Sequence, residues 1–350
     1  MIFSLIGQLK AFVFGSPNSP EVYRTLKIAD VPVTTAECRS CADPCDEDHD
    51  DFPSGLDIDM DSDMLGSVYP YRRQVLISTG KRDWEIEVTE AKGTLAAFLE
   101  TANSSLSTPK KPNDPLPSGL LFSHTEAKFL SILNGSHRPF SYDESEETVI
   151  VLPDFMVVSG VSRTLAGAEV LWKAALDPAL DRAGVITRTD NLLNTWVLPY
   201  SCLILLCSHK RRDKRCSVTA PILEKTFHLY LEREGWEVHT NLYDLTSEPS
   251  LESQASSTTE KERLVETQLK SLHAEHRALI LMSSHFGGHQ FAGNCVIYTP
   301  RGAGVWYGRV TPHNVESIVK HTIIDGQVIP TILRGGVDLP CRGKKTLYDW

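Results

Sequence analysis

The stretch SCLILLCSHKRRDKRCSVTAPIL, residues 201–223, decides the fold of the C-terminal half of the chain. Its first part, from Cys202 to Cys207, is an apolar run of strand length, and a polar, basic loop follows it. Such a run predicts a strand that is buried on both faces. Thr219 and Pro221 are helix-start residues, so we predict a helix after the loop. One face of that helix carries the apolar residues Leu223, Phe227, Tyr230 and Leu231.

Later segments extend this pattern. A strand predicted over ALILMSS, residues 278–284, leads into a glycine-rich loop, and two more strands follow at CVIYT and GVWYGRV. Thr311 and Pro312 then start a closing helix that ends at Gly326. The order is strand, loop, helix and strand, followed by strand, strand and helix. This is the order of a thioredoxin-like domain, and it predicts the α/β fold class.

Two pairs of metal-binding side chains follow two of these strands. Cys207 and Cys216 flank the basic loop, and His285 and His289 lie in the glycine-rich loop. If the fold brings the two strands together, two thiolates and two imidazoles converge on one ion or cluster. Ligand type leaves zinc and iron open, but eight residues between the cysteines exceed the usual spacing of structural zinc sites. We therefore interpret the four residues as an iron–sulfur site.

Histidine ligation changes the charge of such a site. A two-iron, two-sulfide centre is doubly negative on four cysteines and formally neutral on two cysteines and two neutral histidines. Its potential is then expected to rise from about −400 mV toward the range of about −150 to +300 mV. Reduction also adds negative charge next to the imidazoles and makes their outer nitrogens more basic. We therefore predict proton-coupled electron transfer.

A second group of candidate ligands precedes the first predicted strand. Cys38, Cys41, Cys45 and His49 have a spacing that is compatible with zinc. They lie in or next to an acidic run that no Lys or Arg interrupts and that we expect to be poorly ordered. Whether this group binds a metal stays open at this point.

The other cysteines and histidines near these motifs are expected to be structural. Cys202 and Cys295 should pack as small hydrophobic side chains. Surface positions are expected for His209, His228 and His313. The cations of the cysteine loop form a solvated surface or, in the interpretation that we favour, stabilise the reduced site and dock an acidic redox partner. These cations are Lys210, Arg211, Arg212, Lys214 and Arg215.

The composition limits the functional classes. The chain has 350 residues, is 41% hydrophobic and carries a formal net charge of −10, so we predict two domains. General nucleic-acid binding is excluded because it needs a concentrated positive surface. The longest nearly apolar stretch, residues 196–207, is too short for a transmembrane segment. The N-terminal sequence does not fit a transit peptide, and we expect reduced cysteines in a cytoplasmic protein.

Several segments are similar to the sucrase/ferredoxin-like family. They are CSHKRRDKRCSVTAPIL, HFGGHQFAGNCVIY and VWYGRVTP, with MLGSVYPYRRQVLISTGKRDW and VIVLPDF earlier in the chain. The resemblance covers most of the chain from Cys38 to Ile324. It implies two thioredoxin-like domains, the C-terminal one a thioredoxin-like ferredoxin, and an electron carrier in redox homeostasis instead of an enzyme. It also implies a 2Fe–2S cluster on Cys207, Cys216, His285 and His289.

Four segments are predicted on this basis. Residues 1–30 form an N-terminal segment, and residues 31–185 form a thioredoxin-like domain without a cluster. Residues 195–330 form the ferredoxin domain. That domain carries an insertion at 247–275. Its first part, from Ser247 to Glu262, is rich in Ser, Thr and Glu, so we expect it to be disordered and to run on into a short charged helix. Residues 331–350 form a C-terminal tail.

The sequence also suggests partners. An acidic residue followed by a terminal aromatic, as in LYDW, resembles the tag by which the cytosolic iron–sulfur assembly machinery recognises its clients. This predicts an interaction through Trp350, in addition to a redox donor and a redox acceptor protein. Two alternatives stay open. One is a zinc-stabilised interaction protein with a structural Cys2His2 site, and the other is a thiol oxidoreductase that uses Cys207 and Cys216, which their wide spacing disfavours.

Overall fold

The structure of the protein is a computed structural model. It describes residues 20–39, 41, 42, 45, 47, 49–107, 118–185 and 193–350. Most of the predicted N-terminal segment, and residues 186–192 at the predicted domain boundary, lie outside the described residues.

Twelve strands among the described residues form one mixed sheet. They are β1 (Arg73–Ser78), β2 (Leu121–Phe122), β3 (Leu130–Gly135), β4 (Glu146–Leu152), β5 (Met156–Ser162), β6 (Asn194–Val197), β7 (Cys202–Cys207), β8 (Glu237–His239), β9 (Arg277–Ser283), β10 (Cys295–Tyr298), β11 (Gly304–Tyr307) and β12 (Leu333–Val337). In space, the order is β2, β12, β11, β10, β7, β9, β3, β1, β4, β5 and β6, and β8 pairs with β9 outside this path.

The sheet contains the same four-strand arrangement twice. In the N-terminal half the order is β3, β1, β4 and β5, with β1 parallel to β3 and the other neighbours antiparallel. In the C-terminal half β9, β7, β10 and β11 repeat this order and these directions. The two halves meet where Gly135 of β3 pairs with Ser283 of β9. The protein is therefore a mixed α/β structure with one continuous sheet.

Seven α-helices among the described residues accompany the sheet. They are α1 (Pro20–Ile28), α2 (Leu95–Leu106), α3 (Leu165–Leu171), α4 (Lys214–Arg233), α5 (Leu251–Gln254), α6 (Thr258–Ser271) and α7 (Pro312–Ser317). The last turns of two of them widen into π-helix, at Trp172–Leu176 and at Ile318–Ile324. None of the described helices is long and apolar enough to cross a membrane.

Helix α4 begins earlier than the sequence indicated. We expected its start at Thr219 and Pro221, but Asp213 caps it by accepting a hydrogen bond from the backbone N–H of Arg215 (2.9 Å). The earlier cap dominates because an aspartate at this position satisfies a free N–H of the first turn. As a result, Cys216 lies in the first turn of the helix instead of in a loop.

The disorder predicted for residues 247–262 was wrong, because this stretch contains α5 and the start of α6. One serine and one glutamate of this stretch cap the start of α6. The Ser257 side chain accepts from the Glu260 N–H, and the Glu260 side chain accepts from the Ser257 N–H, which is a capping box. Val265 and Leu269 of α6 are buried against the N-terminal half of the core. The charged helix predicted at the end of the stretch is present.

The predicted C-terminal tail is also part of the folded core. Within residues 331–350, β12 pairs antiparallel with β11. Leu347 is fully buried, and the Tyr348 hydroxyl donates to the Ile323 carbonyl (2.6 Å). Trp350 is 39% exposed. The sequence prediction missed this strand because LRGGV contains a charge and two glycines, which are unusual inside a strand.

Strand β7 lies at the centre of the sheet and is buried on both faces. Leu203 and Leu205 contact one apolar cluster, whereas Ile204 and Leu206 contact the other. This confirms the buried strand that its continuous apolar sequence predicted. The strand is therefore rigid up to its last residue, Cys207, where the candidate site begins.

Candidate metal centre

The two cysteines are positioned by the end of β7 and the start of α4. Cys207 is the last residue of the strand, and Cys216 lies in the first helical turn. Both side chains are 1% exposed. The Cys207 N–H donates to the Asn294 carbonyl (3.2 Å). The loop that joins β7 to α4 therefore returns to the end of the strand, and the two sulfurs lie close together.

The two histidines follow β9, the parallel neighbour of β7. Gly287 and Gly288 between them have φ values of +91° and +69°, a region that glycine adopts without strain. A Cβ atom on Gly288 would clash with the Arg334 guanidinium. His289 begins a short 3-10 turn, His289–Phe291. The two glycines thus fold the loop back so that both imidazoles lie on the same side.

The structure brings three of the four predicted ligands into one cluster and the fourth next to it. The ligand atoms of Cys207, Cys216 and His285 all lie within 4.8 Å of one another, with His285 Nδ1 3.8 Å from Cys207 Sγ. His289 Nδ1 is 3.5 Å from His285 Nε2. The thiols are buried, whereas both imidazoles are partly exposed. The site therefore has a closed sulfur side and an open nitrogen side.

The two thiols share a proton in this arrangement. A hydrogen bond from Cys216 lowers the pKa of Cys207 well below its usual value, although burial opposes this change. The same bond raises the pKa of Cys216, and burial adds to that increase. One sulfur is thus held as an acceptor even without a metal. A thiolate that is buried in this way needs a positive partner.

That partner is Arg334 of β12, which sequence analysis missed. Its side chain is completely buried, and burial lowers its pKa to about 10, while charged Cys207 and Cys216 raise it. Among the described residues, its hydrogen-bond acceptors are all neutral, and no carboxylate pairs with it. A buried cation requires a compensating anion. The structure therefore fits a negatively charged group at the two sulfurs.

Arg334 also joins the two ligand loops. Its guanidinium donates to the Gly287 carbonyl (3.1 Å) and to Asn294 Oδ1 (2.9 Å). The Asn294 amide in turn donates to the Gly288 carbonyl (2.8 Å), and its own carbonyl accepts from Cys207. One network thus holds the histidine loop against the end of the cysteine strand. No sequence signal indicated this network, because the strand that carries Arg334 was itself not predicted.

His209 is not at the surface, so that prediction was wrong. It is 1% exposed, its Nε2 donates to the Trp84 carbonyl (2.9 Å), and its Nδ1 accepts from the His285 backbone N–H (3.3 Å). These contacts fix its tautomer and hold the start of the histidine loop. His228, by contrast, has a side chain that is 39% exposed, as expected.

Two cations of the cysteine loop, Arg211 and Arg212, are paired with acidic residues of a preceding segment. Arg211 contacts Glu85 (2.5 Å), and Arg212 forms an ion pair with Glu87. Both arginines are partly exposed, so solvent weakens their effect on the buried sulfurs. The local positive charge at the site therefore comes mainly from Arg334. Docking of an acidic partner on this loop stays a prediction.

Comparison with known proteins gives the family. A family model described as "Sucrase/ferredoxin-like" matches residues 64–335, which is most of the chain. The chain belongs to the sucrase/ferredoxin-like family. This confirms the resemblance that the ligand motifs suggested.

Relatives of this sucrase/ferredoxin-like protein occur in yeasts. It is 30% identical over 186 residues to "Actin patches distal protein 1" of Saccharomyces cerevisiae, covering 51% of this chain and 48% of the relative. It is 30% identical over 133 residues to "Altered inheritance of mitochondria protein 32" of Clavispora lusitaniae, covering 38% of this chain and 34% of the relative. It is 33% identical over 138 residues to the protein of the same name from Debaryomyces hansenii, covering 39% of this chain and 36% of the relative. The chain spans between a third and half of these relatives. No solved structure matches it.

The family match includes the whole candidate centre of this sucrase/ferredoxin-like chain. All four predicted ligands and Arg334 lie within residues 64–335. The match begins after the second cysteine group, so Cys41, Cys45 and His49 lie outside it. Of the cysteines that we expected to be structural, Cys202 and Cys295 are fully buried, and burial raises the pKa of both thiols.

Proposed function

We propose that Cys207, Cys216, His285 and His289 hold a 2Fe–2S cluster and that the protein is an electron carrier. The observation that carries this proposal is the convergence of two buried thiols with a partly exposed histidine pair. The buried cation Arg334, which lacks a carboxylate partner among the described residues, supports an anionic group at the sulfurs. When bound, the cluster supplies a site that accepts and releases one electron.

The residues around the site exclude water from the sulfur side. Cys207 lies in the fully buried strand β7, and the Phe291 ring lies beneath the Arg334 guanidinium at 5.7 Å. The histidine side is partly open to solvent. Electron exchange with a donor or an acceptor protein is therefore proposed at the imidazole face, because this is the shortest route from the site to the surface.

The imidazoles also have a role with protons. His285 Nδ1 is turned toward Cys207, which leaves Nε2 on the outer side, next to His289. The outer nitrogens can hold protons that compensate the charge of an added electron. The potential should therefore fall as pH rises through the range in which these nitrogens lose their protons.

The potential should fall by up to about 59 mV per pH unit in that range, which is the limit for one proton per electron. The measurement is a series of redox titrations between pH 6 and pH 9 on the anaerobically purified protein. A potential that is independent of pH across this range would argue against proton coupling.

The metal content tests the electron-carrier proposal directly. Purified under anaerobic conditions, the full chain should be red-brown and contain about two iron atoms and two sulfides. The Cys207→Ser variant should lose both, whereas Cys202→Ser, a buried cysteine of the same strand outside the site, should keep them. A colourless protein that binds zinc through Cys207 would instead favour the zinc-stabilised interaction protein.

The fold repeats support a finer assignment. The strand order β3, β1, β4, β5 and its repeat β9, β7, β10, β11 are each the order expected of a thioredoxin-like domain. We assign the first to the domain predicted at 31–185 and the second to the ferredoxin domain predicted at 195–330. A thiol oxidoreductase activity is disfavoured, because both Cys207 and Cys216 are buried and are far from C-x-x-C spacing.

The compartment and the process belong to the same proposal. All eight cysteines are free thiols, which fits a reducing compartment. We propose the cytoplasm and a role in redox homeostasis, although the name of two relatives refers to mitochondria. Fractionation of cells that express the tagged protein distinguishes the two compartments. Recruitment of the iron–sulfur assembly machinery through Trp350 stays a prediction from the sequence.

A further inference from the structure

A second group of metal-binding side chains converges far from the first in sequence. Cys41, Cys45 and His49 follow one another with three residues between neighbours, and His313 of α7 lies against them. The ligand atoms of these four residues are all within 4.8 Å of one another. His313, which we expected at the surface, has a side chain that is only 13% exposed, so that expectation was wrong.

Cys38, the other cysteine of the predicted group, is not part of this cluster. Burial raises the pKa of its thiol to about 11. It is therefore held as a neutral thiol. In the structure, His313 takes the place of Cys38 in the group. The sequence pattern did not show this, because His313 lies on a helix that is more than 260 residues away.

The contacts within the cluster are those of a ligand set. Cys41 Sγ is 3.2 Å from His313 Nδ1, and the rings of His49 and His313 are edge to face with centroids 5.0 Å apart. In the part of the chain that the structure describes, none of the cysteines forms a disulfide. Two sulfurs and two imidazoles thus face a common point without a covalent bond between them.

Groups around the cluster orient the donors. His313 Nε2 is 2.8 Å from Asp51 Oδ1, so the carboxylate accepts its proton and leaves Nδ1 as the free donor atom. Carboxylate–histidine pairs of this kind are typical behind zinc ligands. The Glu47 N–H lies 3.4 Å from Cys45 Sγ and donates to it. Both contacts favour the protonation states that metal binding requires.

We propose that Cys41, Cys45, His49 and His313 form a tetrahedral structural zinc site, separate from the candidate cluster site. Two cysteines and two histidines are a common donor set for structural zinc, and three residues between the cysteines lie within the usual spacing. All four positions are occupied by protein side chains. The site therefore has no open position for a substrate or for water, and its role is to hold the fold together.

The site attaches an N-terminal arm, defined as the described residues of 31–66, to the C-terminal half. Next to the cluster, Ser317 Oγ donates to the Glu37 carbonyl (2.8 Å) and Asn314 donates to the Cys38 carbonyl (3.3 Å). Val31 and Met64, near the two ends of the arm, are buried in the core. A metal ion would add an attachment between them.

The same arm continues to the candidate electron-transfer site. The Asp57 carbonyl accepts from Arg215 (2.9 Å), next to Cys216, and the Asp59 N–H donates to the Gln290 carbonyl (2.9 Å), next to His289. Zinc would thus fix the arm at one end of its path over the C-terminal half.

Metal analysis of the full-length chain tests the proposal. The purified protein should retain about one zinc ion per chain after gel filtration with a weak chelator, in addition to iron. The Cys45→Ser and His313→Gln variants should lose this zinc. Cys38→Ser is the matched control and should keep it. A wild-type protein without zinc, or zinc retained in both variants, would overturn the proposal.

Cobalt provides a second readout in case single variants fold poorly. In the Cys207→Ser background, which removes the colour expected from the first site, protein produced with cobalt should show visible bands of tetrahedral Co²⁺ and sulfur-to-cobalt charge transfer. Adding Cys45→Ser should abolish both. Loss of the cobalt bands caused by Cys207→Ser alone would place the metal at the first site and overturn the proposal. Iron bound through Cys45 in place of zinc would also overturn the proposal.

Discussion

The His285→Cys/His289→Cys double variant should have a reduction potential at least about 250 mV below that of the wild type. The reason is charge, because two neutral imidazoles are replaced by two thiolates and the site becomes more negative by two charges. Centres on four cysteines lie near −400 mV, whereas histidine-ligated centres lie between about −150 and +300 mV. The potential should also lose its dependence on pH, because the imidazoles that hold the protons are gone.

The experiment is a redox titration followed by electron paramagnetic resonance of the reduced protein, kept anaerobic and reduced so that the new cysteines do not form disulfides. The g-values should change with the ligands. His228→Cys is the matched control, since its side chain is partly exposed on α4 and forms an ion pair with Glu232. It should leave the potential and the spectrum unchanged. An unaltered spectrum in the double variant would show that these histidines are not ligands.

The convergence of Cys207, Cys216 and His285 could be predicted from the sequence because the cysteine loop and the histidine loop each follow a buried strand. Cys207 ends a continuous apolar run. Such a run is typical of a strand at the centre of a sheet, where both faces are buried. The parallel pairing of β7 with β9 then brings the histidine loop to the same edge. Local pattern and topology therefore agree on Cys207 and His285, and this agreement made the prediction specific.

The surroundings of the site could not be predicted in the same way. Arg334 and His209 are polar residues, and their burial depends on partners that are far away in sequence, such as Asn294 and Trp84. A sequence pattern shows only that a polar residue is usually exposed. The same limit concealed His313, which a local reading assigned to the start of a surface helix.

Local signals also failed where one residue type has two roles. Serine and threonine are frequent in disordered segments and at helix N-termini, and we chose disorder for residues 247–262, where Ser257 caps α6. The start of α4 was similarly predicted at Thr219 and Pro221, although Asp213 caps this helix earlier. In both places a capping residue precedes a stretch with apolar positions at helical spacing. That combination was the available signal for a helix.

Replacing Arg334 with methionine should lower both the free energy of unfolding of the protein and its reduction potential. Methionine removes a fully buried cation next to two thiolates and leaves the Gly287 carbonyl and Ser67 without their donor. Loss of one partner from a buried charged group costs about 3–5 kcal/mol in the free energy of unfolding. The potential should fall on the order of tens of millivolts, because a nearby positive charge favours the reduced state.

Two further variants separate charge from hydrogen bonding. Arg334→Lys keeps the positive charge but not the planar set of donors that joins Gly287 to Asn294. It should keep most of the potential and lose stability. Arg212→Met removes a partly exposed cation of the cysteine loop and should leave the potential nearly unchanged, because solvent screens this charge. Chemical denaturation and redox titration of the three variants give both quantities. If Arg334→Met and Arg212→Met shift the potential equally, the buried arginine has no special electrostatic role. The positive charge at the site would then be a property of the whole loop, as the sequence alone suggested.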